Sequence, residues 1–291
     1  MKIAIIGLGY VGLALLLETS KTNHRIVGYD ISKKRIHDLR ELKDSREEFS
    51  QKELSSLKNI ELTSSTIALK GTDIFIVTVP TPITKDKKTD LSFVNSAVDL
   101  ISPYISKKSI IVFESTVYPG CTIDHCGKRL ENNSGLKLNE DFAVGFSPER
   151  VVPGKKNKKI TDVVKLVSAS SDWALHIISE FYKSIIPAGI HICESIEIAE
   201  ASKLLENIQR DVNIALINEV SNLLGVMNIP TLQVIKAAST KWNFARYEPG
   251  LVGGHCIAVD PYYLIEVGEK YSVPLELCKT ARKVNDNVKK R

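Results

Sequence analysis

An α/β fold, a parallel sheet wrapped by helices and followed by a mainly helical domain, is predicted by three observations. Over the first 150 residues short apolar runs alternate with amphipathic ones, the pattern of strands feeding crossover helices. The apolar runs stop at polar or Pro-rich corners, as buried parallel strands do. From Ile196 to Met227 the chain then runs 32 residues without proline, a helix long enough to open a second domain.

In order, Lys2 to Ile6 predicts a strand, Val11 to Ser20 a helix, and Arg25 to Tyr29 the next strand, closed by Asp30. Ser32 to Glu41 and Ser50 to Lys58 predict helices. Asp73 to Val79 is a fully apolar strand stopped by Pro80-Thr81-Pro82, and Leu91 to Ile105 a helix. Ser109 to Phe113 is a buried strand ending at Glu114-Ser115-Thr116; Phe142 to Gly145 is another, leading into Ser147-Pro148-Glu149-Arg150. Asp162 to Ser168 and Gly189 to Cys193 have strand character around a helix at Asp172 to Ser184. After the long helix, Thr231 to Ala238 and Leu275 to Lys290 predict shorter ones. The Asp260-Pro261 step starts a further helix, with Asp260 as N-cap and Pro261 first inside. The expected domains are residues 1–193 and 194–291.

The 291 residues carry 25% charged and 43% hydrophobic side chains, with a net charge of +5, ordinary for a soluble globular enzyme. Lysine clusters at 85–88 and 155–159 have no aromatic residues among them, which argues against nucleic acid as a partner. Five cysteines, at 121, 126, 193, 256 and 278, and no secretory leader point to reduced thiols and a cytoplasmic location. Cys121, His125 and Cys126 have no second cluster to complete a tetrahedral site, so no metal is expected. The apolar run near Met1 to Leu17 is broken by glycines and too short to span a membrane.

Two stretches carry chemistry. Gly7-Leu8-Gly9-Tyr10-Val11-Gly12 fits G-x-G-x-x-G between a strand and a helix. Its first glycine makes the tight turn, its second admits a pyrophosphate, and its third lets helix and strand pack closely. Asp30 falls at the end of the second strand, where a carboxylate accepts hydrogen bonds from both ribose hydroxyls and repels a 2′-phosphate. This is a Rossmann-like site for NAD rather than NADP. Tyr10, Val11, Arg35, Thr81 and Thr116 join Gly7, Gly9, Gly12 and Asp30 in the expected cofactor-binding set. Hydroxyls at the strand ends, Thr81 and Ser115-Thr116, face the same crevice or simply cap strands.

The second stretch is Gly253-Gly254-His255-Cys256, followed by Asp260-Pro261. A thiol just ahead of a helix N-terminus sits in positive partial charge that favours the thiolate, whereas a lone cysteine is more commonly buried and inert. Lys203 and Asn207, four apart, project from one face of the long helix, as an oxyanion-stabilising pair or as an exposed polar stripe. Glu149 offers a carboxylate in a loop, as a base toward water or as a surface residue.

Together these segments resemble the UDP-glucose/GDP-mannose dehydrogenase family of nucleotide-sugar 6-dehydrogenases. The matching segments are Gly7 to Gly12, Glu114 to Gly120, Phe146 to Arg150, Glu200 to Asn207 and Gly253 to Cys256, in family order along essentially the whole chain. Trp242-Asn243-Phe244, Pro249 to Cys256 and Val259 to Leu264 look like the branch acting on UDP-N-acetylhexosamines; the UDP-glucose branch typically has Ser where His255 stands.

The resemblance implies oxidation of a sugar C6 alcohol to the carboxylate with two NAD⁺ reduced in turn, serving polysaccharide and capsule synthesis. It implies a thiohemiacetal and then a thioester on Cys256, with Lys203 and Asn207 holding the oxyanion. Glu149, Thr116 and Asp260 order and activate the hydrolytic water. It places Glu149, Arg150, Lys203, Asn207, Arg210 and Gly253 against the UDP-sugar, and makes the long helix the core of a homodimer. It also implies a C-terminal UDP-binding domain of ~100–150 residues, expected to be absent from this chain and to limit its activity alone. The rival expectations are a UDP-glucose 6-dehydrogenase, a 3-hydroxyacid or 6-phosphogluconate-type dehydrogenase, which uses no thiol, and a non-catalytic NAD-binding dimer module.

Overall fold

The computed structural model describes residues 1–150, 159–254 and 257–288. They fall into two compact units: residues 1–81 with 90–201, and residues 82–89 with 202–291. The division between these units falls inside the long helix, at Ala201. The segment 82–89 after the Pro80-Thr81-Pro82 corner groups with the second unit.

In the first unit, strands β1 (Lys2–Ile6), β2 (Arg25–Tyr29), β3 (Glu61–Thr63), β4 (Ile74–Val77), β5 (Ile110–Phe113), β6 (Ala143–Phe146), β7 (Lys165–Ala169) and β8 (Ile190–Ile192) form one sheet. Their spatial order is β3-β2-β1-β4-β5-β6-β7-β8. The first six are parallel, β7 is antiparallel to β6, and β8 is parallel to β7. The order reverses between β1 and β4, which creates the crevice at strand carboxyl ends where an open parallel sheet binds ligands. The central strands are apolar on both faces: Ile3, Ile5, Ile76 and Val112 enter one core, Ala4, Phe75, Val77 and Phe113 the other. Helices α1 (Tyr10–Thr19), α2 (Lys33–Arg40), α3 (Gln51–Leu54), α4 (Ser92–Ile101), α5 (Lys128–Ser134) and α6 (Asp172–Ile185) belong to this unit.

Local chemistry shortens several expected elements. The helix expected from Ser50 keeps one α turn under a Ser50–Glu53 capping box, then tightens to a 3₁₀ turn at Ser55–Asn59. The helix expected to reach Ile105 ends at Ile101, because Pro103 cannot donate to its interior and a 3₁₀ turn takes over. Strand β3 and the helical segment Cys121–Ser134, which begins with a π-helical turn at Cys121–Gly127, have no counterpart in the expectation.

Helix α7 (Ile196–Val226) runs 31 residues. The second unit holds most of it, with α8 (Thr231–Ala238), α9 (Asp260–Lys270) and α10 (Glu276–Asn287). A buried polar chain ties α7 to α10: the Asn285 amide donates to Asp211 Oδ1 at 2.8 Å, and Arg282 donates to the same carboxylate oxygen at 2.5 Å. Asn218 clasps the Gly250 backbone from both sides, donating to its carbonyl at 3.0 Å and accepting from its N–H at 2.8 Å.

Candidate active site

The glycine turn after β1 is built as the sequence requires. Gly7 has φ +92°, a left-handed conformation that side chains resist. A Cβ on Gly12 would lie 1.9 Å from the Gly7 carbonyl oxygen and 2.5 Å from Thr78 Oγ1, so nothing larger than glycine fits. Thr78, at the end of β4, clamps the turn by donating to Gly7 O at 2.6 Å. Gly9 is the N-cap of α1 and supplies no side-chain cap. Among the described residues, the groups near its hypothetical Cβ are the Arg46 guanidinium nitrogens, at 3.7 and 4.0 Å. The first-turn N–H groups therefore face a site open to an anion, with a guanidinium at its edge. A dinucleotide's pyrophosphate fits this cradle.

Asp30 turns its carboxylate back to the same turn. Oδ2 accepts from Leu8 N and Oδ1 from Ser32 N, both at 2.8 Å. Each oxygen keeps lone-pair capacity beyond that bond. Arg35, expected in the cofactor set, is occupied locally: Nε donates to Leu8 O at 2.8 Å and Nη1 to the buried Asp44 carboxylate at 2.7 Å. Its Nη2 is buried without a partner. Asp44 also accepts from Glu48 N and Phe49 N, which fixes the loop that presents Arg46. Arg46 has no counterpart in the expected set, since no local pattern marks a loop arginine more than thirty residues after the glycines.

Tyr10 stacks on Phe49 with ring centroids 6.2 Å apart. Burial, with help from Glu149 and Glu48, pushes its phenol up to about 12. Glu149 is thus close enough to the glycine turn to act on Tyr10 electrostatically. Its own side chain is 11% exposed, so the loop carboxylate is not a surface residue. Thr81 and Thr116 are half-buried. Ser115, beside Thr116, donates to Val79 O at 2.6 Å, the strand-end capping bond that the sequence left open.

In the second unit, Lys203, Asn207 and Asp260 come together. Asp260 Oδ2 accepts from Asn207 Nδ2 at 2.5 Å and from Lys203 Nζ at 3.3 Å, and all three side chains are buried. The exposed-stripe reading of this helix face is thereby excluded. Asp260 is not the N-cap of α9: the helix starts at Asp260 itself, Val259 is the N-cap, and no side chain caps the end. The carboxylate turns to α7 instead, because Lys203 and Asn207 offer it a cation and an amide donor. Burial pushes the Asp260 carboxyl up against the pull of Lys203. Arg210 Nη1 donates to Asn207 Oδ1 at 3.1 Å, which fixes the amide so that its nitrogen faces Asp260. Among the described residues nothing lies within 4 Å of a hypothetical Cβ on Gly253 or Gly254, and Gly254 has φ +83°. His255 and Cys256 lie outside the described residues.

The NAD-binding-domain model of the UDP-glucose/GDP-mannose dehydrogenase family matches residues 1–186, and the central-domain model of the same family matches residues 197–287. This chain belongs to that family. It is an NAD-dependent nucleotide-sugar dehydrogenase. It is 44% identical over 288 residues to the UDP-N-acetyl-D-glucosamine 6-dehydrogenase of Salmonella typhi, covering 99% of this chain and 68% of that protein. Protein CapL of Staphylococcus aureus is 44% identical over 289 residues, with coverage of 99% and 68%. The solved UDP-D-ManNAc dehydrogenase of Pyrococcus horikoshii superposes with a TM-score of 0.89 at 32% identity, again covering 99% of this chain and 68% of that one.

The dehydrogenase thus holds its glycine turn in the first unit and its lysine–amide–carboxylate cluster in the second. Among the described residues no group of three or more His, Cys, Asp or Glu side chains could hold a metal, and no helix is long and apolar enough to cross a membrane.

Proposed function

We propose that this dehydrogenase oxidises the C6 alcohol of a UDP-N-acetylhexosamine to the uronic acid, with Cys256 as covalent nucleophile. The observation that carries the reading is the buried Lys203–Asn207–Asp260 cluster, which supplies an ammonium and an amide dipole and whose carboxylate member, Asp260, follows Cys256 by four residues in sequence. Burying such groups is unfavourable unless they are paired, so a lysine, an amide and a carboxylate kept together inside the unit are costly to keep for packing alone. NAD, when bound on the glycine turn, accepts the hydride in each of two oxidations.

The thiolate of Cys256 adds to the C6 aldehyde, and the resulting oxyanion is held by Lys203 and Asn207. Loss of hydride gives the thioester, which water then hydrolyses to the carboxylate, releasing the thiol. Asp260 and Glu149, with the Thr116 hydroxyl, orient and deprotonate that water. Gly253 lines the substrate, and Arg150 and Arg210 add positive charge for the sugar nucleotide. The assignment to N-acetylated sugars rests on the identity to the Salmonella typhi enzyme and on His255.

A homodimer through α7 is part of the proposal. Leu216, Val220, Leu223 and Met227 recur at three- and four-residue spacing and are 39–62% exposed, an apolar seam of the kind a second copy covers. The test of function is NADH formation from UDP-glucose, UDP-N-acetylglucosamine and UDP-N-acetylgalactosamine. Turnover on an acetylated sugar, abolished in Cys256→Ala, supports the reading; turnover on UDP-glucose alone favours the glucose branch.

A further inference from the structure

Glu114, Lys165 and Tyr182 form a buried cluster that no step above uses. Glu114 follows β5, Lys165 opens β7, and Tyr182 lies in α6. The Glu114 side chain is fully buried and that of Lys165 is 6% exposed. Glu114 Oε1 accepts from the Tyr182 hydroxyl at 2.6 Å and Oε2 from Lys165 Nζ at 2.7 Å, while the Lys165 ammonium stands 5.4 Å from the Tyr182 ring centroid. An ion pair this deep gives up hydration that its attraction seldom more than repays, so packing alone does not account for it.

The cluster has one further neighbour, the Ser147-Pro148-Glu149-Arg150 loop. Lys165 Nζ donates to Pro148 O at 3.2 Å and stands 4.0 Å from Glu149 Oε2. The rest of the loop is fastened on either side of that contact. Ser147 Oγ donates to Leu166 O at 2.7 Å, Arg150 Nη1 to Val164 O at 2.9 Å, and Arg150 N to Glu149 Oε1 at 2.7 Å. Among the described residues, the titratable and charged groups facing Glu149 include Tyr10 from α1, Glu114 after β5, Lys165 of β7, Tyr182 of α6 and its neighbour Arg150. Lys165 is the cation among them that contacts both carboxylates. Tyr182 and Glu114 take up one side of its ammonium and leave the other directed at the loop.

We propose that Lys165, anchored by Glu114 and Tyr182, is a positioning residue that holds the Glu149 carboxylate where it meets the hydrolytic water. This rests on the role given to Glu149 above. Glu149 then acts on the second half of the reaction, so loss of Lys165 slows thioester hydrolysis and spares the two oxidations before it.

The experiment mixes enzyme, NAD⁺ and UDP-N-acetylglucosamine, quenches with acid, and measures NADH per site and the mass of the intact chain. Glu149→Gln is expected to release two NADH per site in a burst and to carry a uronyl thioester on Cys256. Lys165→Met leaves Glu114 buried without a cation, so the Glu114→Gln/Lys165→Met double variant, which removes both charges of the pair, is compared as well. The double variant is expected to show the same burst and adduct, with steady turnover about tenfold to a hundredfold lower and the NAD⁺ dissociation constant unchanged. Lys165→Arg, which keeps the charge, is expected to recover most of the rate. Wild-type hydrolysis without adduct in the double variant, beside accumulation in Glu149→Gln, overturns the role of Lys165 alone. Absence of adduct in Glu149→Gln overturns the role of Glu149, and this proposal with it.

Discussion

Glu200, in the first turns of α7, predicts an unusual dependence of stability on pH. Its side chain is fully buried, and its two carboxylate oxygens accept the backbone N–H groups of Gly120 at 2.6 Å and Thr122 at 2.9 Å, capping the π-helical turn. Burial pushes the carboxyl up to about 7 despite these donors. A free glutamate titrates near 4.3. Between those values the native chain keeps a proton that the unfolded chain has lost. Stability from this group is therefore complete below about pH 4.3 and falls as pH rises through 7. With about 1.4 kcal/mol per pH unit over the interval, the wild type should lose on the order of 3 kcal/mol from this residue alone. Glu200→Gln removes the titration and leaves one N–H opposite an amide NH₂, at a constant cost of about 1–3 kcal/mol. Urea unfolding of both proteins at half-unit steps from pH 5 to 8 checks this. The gap between wild type and Glu200→Gln should narrow from pH 5, close or reverse as the wild-type loss overtakes the cost of the amide, and level off above about pH 7. Parallel stability curves would refute the argument and mean that the two N–H donors hold Glu200 ionised throughout.

Three further outcomes follow from the geometry. Gly12→Ala drives a Cβ into the Gly7 carbonyl and should weaken NAD⁺ binding at least about tenfold by calorimetry, the equivalent of ~1.4 kcal/mol of overpacking strain. Lys203→Met strands the buried Asp260 carboxylate and should destabilise the chain by about 3–5 kcal/mol in urea unfolding, most of it recovered in Lys203→Met/Asp260→Asn. Leu216→Glu with Leu223→Glu places charges in the apolar seam of α7 and should shift the light-scattering mass from dimer to monomer, with NAD⁺ binding retained.

The first unit was largely legible because its strands are apolar on both faces and its turn chemistry is local. Lys2–Ile6 and Arg25–Tyr29 have the same limits in sequence and structure, as does Thr231–Ala238 in the second unit. Strand β3 was not, since Glu-Leu-Thr carries too short a pattern and pairs only through the neighbouring Val27–Tyr29 backbone. Asp260 illustrates the limit of local rules: beside proline it has the sequence of an N-cap, yet a lysine and an asparagine some fifty residues upstream claim its carboxylate. The pairing of Glu114 with Lys165 was silent for the same reason, because an ion pair across 51 residues leaves no periodic trace. Arg46 reaches the glycine turn through a loop whose shape depends on Asp44 and Arg35, which composition does not reveal. The glycine fingerprint was clear because its demands are partly local: Gly7 holds a positive φ and a Cβ on Gly12 would strike the Gly7 carbonyl.

The most direct test of the account is the yield of NADH per molecule of UDP-N-acetylglucosamine consumed, with excess NAD⁺. Two NADH per sugar and a uronic acid product, with none from Cys256→Ala, are the predicted results. One NADH per sugar with free aldehyde, or full turnover by Cys256→Ala, would contradict covalent oxidation through the thiol.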